Sequence, residues 1–148
     1  FHLFGTKTFL AVVMDLYNDQ VLSYAIGPRQ NLSLMMSLLS GLVAQLPAGV
    51  NPIFHSDQGW QFRNDSVQAF LIRNHLRPSM SRRGNCFDNA VVENFFGILK
   101  SEFFFPGHFS SLNQFISLLK DYIHYYNCLR IKRRLAFLSP VDFRLAHS

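Results

Sequence analysis

With 148 residues, 49% of them hydrophobic and 15% aromatic, the chain can form one domain with a substantial core and is too apolar to be disordered. No stretch approaches the roughly 18–20 apolar residues of a membrane span, and no basic region leads into an apolar, cleavable segment, so neither anchoring nor secretion is expected. A formal net charge of +5 and a pI near 9.6 suggest a polyanionic partner.

The charge is uneven. Lys7 and Arg29 alone precede residue 60, and the other twelve Lys and Arg follow from Arg63 onward. Arg82-Arg83 and Arg130, Lys132, Arg133 and Arg134 form local groups that fit either a polyanion contact or a solvated surface. Cys86 and Cys128 are too few for a disulfide framework, and they share no zinc-ligand spacing with the six His. Reduced thiols in a cytosolic protein are expected.

Along the chain, Phe1 to Phe4 read as the tail of a strand. Lys7 to Leu16 is rich in β-branched and aromatic residues and predicts a buried strand. Tyr17-Asn18-Asp19 is turn chemistry, and Gln20 to Ile26 alternates as an antiparallel return strand does. Asn31 is placed to cap a helix from Leu32 to Leu46, stopped by Pro47.

Pro52 to Ser56 predicts a short strand that delivers Asp57 at its C-terminal end. Ser66 is placed to cap a helix reaching about Asn74, followed by a short strand at Arg77 to Ser79 and a loop at 81–87. Asp88 or Asn89 opens a helix to about Phe104, with Val92, Phe95 or Phe96, Leu99 and Phe103 inward. Ser110 or Ser111 caps a helix through Tyr126, with Phe115, Leu118, Leu119, Tyr122 and Ile123 inward. Ser139-Pro140 opens a last short helix. Strands first and helices afterwards predict an α/β domain, a mixed sheet with antiparallel first strands flanked by helices.

Asp57 on a strand end and Glu93 early in a helix, thirty-five residues between them, are suited to hold a divalent metal for phosphodiester chemistry. Sites of this kind usually draw on a third carboxylate upstream. Asn89, Glu93 and Lys100 share a helix face, which would aim acid at metal and Lys100 at phosphate. Arg82, Arg83, Gly84 and Asn85 lie on the loop leading to Glu93, suited to gripping phosphates or to solvation. His55 is expected to pack behind Asp57, and Trp60 and Phe62 to serve the core or its rim. Tyr122, Tyr125 and Tyr126 precede the basic run at Arg130 to Arg134, a mixture that suits nucleic acid or a core with a soluble surface.

The ordered words His55-Ser56-Asp57-Gln58-Gly59, Ser79-Met80-Ser81-Arg82-Arg83-Gly84-Asn85-Cys86, Asp88-Asn89-Ala90, Glu93-Asn94-Phe95-Phe96, Lys100-Ser101-Glu102, Tyr126-Asn127, Arg130 and Ser139-Pro140 carry a resemblance over essentially the whole chain. It resembles the catalytic core of bacterial insertion-sequence DDE transposases, of the retroviral-integrase superfamily. The resemblance implies an RNase H-like fold over residues 1–148, as one domain of a longer transposase. It implies cutting and joining of DNA with Mg2+ or Mn2+. Asp57 and Glu93 stand at the family's middle and last acids, while Lys100, Arg82, Arg83, Asn85, Asn89 and Arg130 stand at expected DNA contacts.

The family's first acid, in a Thr-Asp-x-Thr setting just before the stretch matched by Phe1 to Gly5, has no counterpart here, and the first strand is largely missing. Asp15, in an Asp-Leu-Tyr word, is expected to be structural or turn-associated. These 148 residues alone are therefore expected to bind the metal pair weakly and to show little strand transfer. DNA ends and target, a homo-oligomer and a cytoplasmic, nucleoid-associated location are the implied setting. The competing expectations are a non-catalytic DNA-binding or oligomerising remnant and an RNase H-like nuclease.

Overall fold

The computed structural model describes residues 1–57, 59–80 and 90–147. Strands β1 (His2–Leu3) and β2 (Thr6–Lys7) form a tight hairpin whose two loop residues, Phe4 and Gly5, have φ of 54° and 71°. Positive φ at both central positions is what a type I′ two-residue hairpin loop requires. Strands β3 (Phe9–Met14) and β4 (Val21–Gly27) then pair antiparallel. Helix α1 (Leu32–Gln45) is capped by Asn31, whose side chain accepts from Leu34 N at 3.1 Å.

Strand β5 (Ile53–Ser56) is joined to β6 (Arg77–Met80), its parallel partner, through helices α2 (Trp60–Arg63) and α3 (Asp65–Arg73). Parallel strands need such a crossover, and helices supply it. The cap of α3 is Asn64 rather than Ser66: its side chain accepts from Ser66 N at 2.8 Å. Helix α4 (Ala90–Leu99) carries Glu93 in its first turn and runs into a π-helical turn at Lys100–Phe104. Helix α5 (Leu112–Cys128) is capped by Ser111, and α6 (Pro140–Ala146) by Ser139 with Pro in the first turn.

The β3–β4 ladder separates two cores. Phe9, Ala11 and Val13 face one built with α1, α3 and Phe54 of β5. Leu10, Val12 and Met14 face the other, built with α4 and α5. This alternation follows from the period of two along a strand. The register shifts between Val13, opposite Ser23, and Met14, opposite Val21. Leu22 is thus the extra residue of a bulge, and Val21 turns to the α4–α5 side with Met14. Gly41 permits α1 to lie close on β4, because a Cβ there would sit 2.8 Å from Ser23 Oγ. That hydroxyl donates to Leu38 O at 2.8 Å.

The second core is aromatic. The ring of Phe115, fully buried, lies 5.0–6.2 Å from those of Phe109, Phe1, Phe103 and Phe104. Phe95 packs edge-on against Tyr126 at 5.0 Å. Leu118, expected inward, is instead exposed, and Tyr126, further along the same helix, takes a core position.

Two polar side chains of α5 fasten it to the β3–β4 turn. Asn127 donates to Val21 O and accepts from Val21 N, each at 2.9 Å, as a strand neighbour would. The Tyr126 hydroxyl donates to Asp19 O at 2.9 Å. Asp19, at φ 60°, is buried and accepts from Lys132 Nζ at 3.0 Å and from Arg134 Nη2 at 2.6 Å. Burial pushes its carboxyl up, but the hydrogen bonds from Arg134 and Lys132 outweigh this and hold it below the ordinary aspartate range.

A depressed folded value stabilises the fold above the unfolded pKa of about 3.9, and the gain is lost as pH falls through the folded value. Asp19→Asn, which tolerates positive φ, is expected to cost about 3 kcal/mol at pH 7 in urea denaturation. The gap from the parent should close as the pH is taken below that of the folded carboxyl. A constant gap across that range would mean that charge pairing is not what Asp19 contributes.

Candidate metal and nucleic-acid site

β5 ends on Ser56, and the next residue, Asp57, projects from the strand end with an exposed side chain. Its Oδ1 accepts from Gly59 N at 2.8 Å, a local turn of the kind aspartate favours. The other oxygen makes no hydrogen bond to any described residue. His55, half-buried, is fixed behind the strand end by a 3.1 Å contact between Nδ1 and Ser79 Oγ of β6.

Gly59 has φ −59° and ψ 151°, a conformation open to any residue. Space, not backbone freedom, explains the glycine there. A Cβ at that position would stand 2.8 Å from Asp57 Oδ1 and 3.1 Å from Gln61 Oε1. Trp60 is 57% exposed while Gln61 beside it is buried at 7%, so α2 presents its indole to solvent and turns a polar side chain inward.

Glu93 is exposed in the first turn of α4, where a negative charge also suits the helix dipole. No ion pair or hydrogen bond engages its carboxylate among the described residues. Lys100 is exposed two turns further on, at the start of the π-helical turn, and lines a cavity of about 380 Å3 with Phe9, Phe96, Phe104 and Phe105. The sequence periodicity does not predict the π-helical turn. Such turns insert one residue and re-aim the side chains beyond it, here Glu102 toward α5.

Arg82, Arg83, Asn85 and Asn89, expected at DNA, lie outside the described residues, as do Asp88 and Cys86. Arg130, also expected there, has its guanidinium held by both oxygens of Glu102 at 2.8–2.9 Å. That hydrogen bond from Arg130 holds the Glu102 carboxyl below the usual range despite some burial. Lys132 and Arg134 are committed to Asp19, and Tyr126 is wholly buried. Of the basic run that resembled a nucleic-acid patch, Arg133 is left exposed without an ion-pair partner among the described residues.

Asp15 is occupied as well. Its Oδ1 accepts from Tyr17 N at 2.9 Å and its Oδ2 is paired with Arg144 of α6. Among the described residues no hydrogen bond joins Asp57 to Glu93, and no group of three or more His, Cys, Asp or Glu is placed to hold a metal. The donors around Gly59 are nonetheless of a kind a hard divalent cation accepts: the Asp57 carboxylate, with one oxygen unengaged among the described residues, and the amide oxygen of Gln61.

An antiparallel ladder between two helical layers, a parallel ladder crossed by helices, and an acid freed at a strand end define an RNase H-like α/β core. The integrase core domain family matches residues 1–86, and a second integrase core domain family matches residues 93–147. The chain belongs to the integrase core domain family.

Among relatives, it is 41% identical over 140 residues to a protein of Escherichia coli (strain K12) that bears the name of transposase InsK for insertion sequence element IS150. That match covers 95% of this chain and 50% of the relative. A transposase-like protein of Haemophilus influenzae is 39% identical over 138 residues, covering 93% of this chain and 63% of the relative. The chain thus spans 50% and 63% of these relatives' lengths, less than two thirds of either. The HTLV-2 integrase catalytic core domain, solved in complex with magnesium in a trimeric form, superposes with a TM-score of 0.73 at 16% identity. This superposition covers 97% of this chain and 88% of that one. No described helix is long and apolar enough to cross a membrane.

Proposed function

We propose that this chain is the catalytic core of a bacterial DNA transposase, and that Asp57 and Glu93 hold the divalent metal for its strand-cutting and strand-joining steps. The observation that carries the reading is Asp57: an exposed acid at the C-terminal end of β5 with one oxygen unengaged, in a chain of the integrase core domain family. Glu93 would complete the pair from the first turn of α4. Mg2+ or Mn2+, when bound, supplies Lewis acidity to a water or 3′-hydroxyl and to the leaving oxygen.

The side chains do the rest. Gly59 N–H holds one Asp57 oxygen and so orients the carboxylate that would bind the ion. Lys100 is proposed to pair with a DNA phosphate, since its charge is matched by no described acid. Arg82, Arg83, Asn85 and Asn89 are proposed as further DNA contacts. Homo-oligomerisation is supported by apolar residues left exposed along and beyond α5, namely Leu118, Tyr125, Leu129 and Ile131. Because no group of three or more His, Cys, Asp or Glu gathers to hold a metal among the described residues, these 148 residues alone are proposed to join DNA poorly.

The test is a longer polypeptide incubated with Mg2+ and a pre-cut element end. Joined strands are expected. Cleavage without joining would make the protein a nuclease, and binding without either would favour a non-catalytic remnant.

A further inference from the structure

Gln61 is a buried polar side chain beside Asp57 that the fold described above does not use. It is 7% exposed, yet its amide makes no hydrogen bond to any described residue. A buried amide without a partner is costly, of order 1–3 kcal/mol where desolvation is complete. Among the described residues, however, no fully buried side-chain nitrogen or oxygen lacks a partner.

The Gln61 amide oxygen lies beside Gly59. Gln61 Oε1 and Asp57 Oδ1 both lie within 3.1 Å of the point a Gly59 Cβ would occupy. The missing Cβ is what admits both groups to one small space. A carboxylate oxygen and an amide oxygen turned toward the same space repel unless a cation or a bound water lies between them, or unless the amide turns its NH2 inward. Hard divalent cations accept amide carbonyls alongside carboxylates, directly or through a retained water. Groups that orient a ligand in this way commonly set metal affinity.

We infer that Gln61 is a positioning residue of the Asp57 metal site, its amide acting across Gly59 on Asp57 or on the water of an ion that Asp57 holds. This rests on the metal-dependent reading of Asp57. The amide already turns its oxygen toward the space that Asp57 Oδ1 shares, the orientation in which it can meet a cation or a metal-bound water. Besides its N–H on Asp57, Gly59 contributes room, which is why a residue with an ordinary φ has no side chain.

Mg2+ titration of this chain, followed in proton–nitrogen correlation spectra, tests the inference without any substitution. The Gln61 side-chain NH2 and the Gly59 backbone N–H should shift together, with one midpoint, and both shifts should vanish in Asp57→Ala. Gln61→Ala should weaken Mg2+ roughly tenfold at unchanged circular dichroism, whereas Gln61→Glu should bind at least as tightly as the parent. A merely structural Gln61 predicts the reverse pattern for the glutamate, which would bury a charge and gain nothing. If Gly59 shifts while Gln61 stays still, the inference falls and the metal reading of Asp57 survives. If parent and Asp57→Ala respond alike, the metal reading fails and this inference fails with it.

Discussion

In a transposition-competent longer polypeptide, Asp57→Asn is expected to reduce strand joining roughly a thousandfold, the equivalent of about 4 kcal/mol in transition-state stabilisation. Asparagine keeps the side-chain oxygen that accepts from Gly59 N, so the local turn persists. What disappears is the negative charge that draws the ion to the strand end. Because the side chain is exposed and free of ion pairs among the described residues, the thermal midpoint should move by no more than about a degree or two. Glu93→Gln should behave in the same way, since that carboxylate also lacks a partner to lose among the described residues. Joining assays beside melting curves separate the two effects. Retention of joining within tenfold of the parent would remove Asp57 from the chemistry.

Phe115→Ala should be the most damaging single substitution in the α4–α5 core, at about 4 kcal/mol in urea denaturation. The ring is fully buried and has four aromatic neighbours drawn from the start of the chain, the π-helical turn and the residues leading into α5. Removing it would leave a void that rigid aromatic walls cannot collapse to fill. Edge-to-face contacts such as that with Phe109 add to the loss. Leu118→Ala, three residues on and exposed, provides the internal control and should cost no more than about half a kcal/mol. Equal costs at the two positions would mean that α5 is rotated relative to its aromatic core.

Local chemistry made much of this architecture legible. Asn31, Ser111 and Ser139 each precede a helix and each accepts a backbone N–H, because capping depends on residues two or three apart. Asn64 and Ser66 are equally good cap types two steps apart, so residue type alone does not decide the α3 boundary. The four-residue α2 is too short to show a period, and its inward Gln61 and outward Trp60 invert what hydropathy suggests. Periodicity likewise cannot register the extra residue of the π-helical turn, which breaks the repeat between Leu99 and Phe105.

Charge pairing was the least legible part of the structure. Arg130, Lys132 and Arg134 read as a basic run, but their partners Glu102 and Asp19 lie 28 to 115 residues away. No local pattern announces such pairs. The Tyr126-Asn127 and Arg130 words are here occupied with architecture: Tyr126 and Asn127 fasten α5 to the β3–β4 turn, and Arg130 bonds Glu102. The candidate acids were legible for the opposite reason, since a strand end and a helix start are local features.

The central claim is that Asp57 and Glu93 act as one ion-binding pair, and Mn2+ binding to the parent chain, Asp57→Ala and Glu93→Ala tests it most directly. Each substitution should weaken binding at least tenfold while circular dichroism stays that of the parent. Binding as tight in both variants as in the parent would contradict the account.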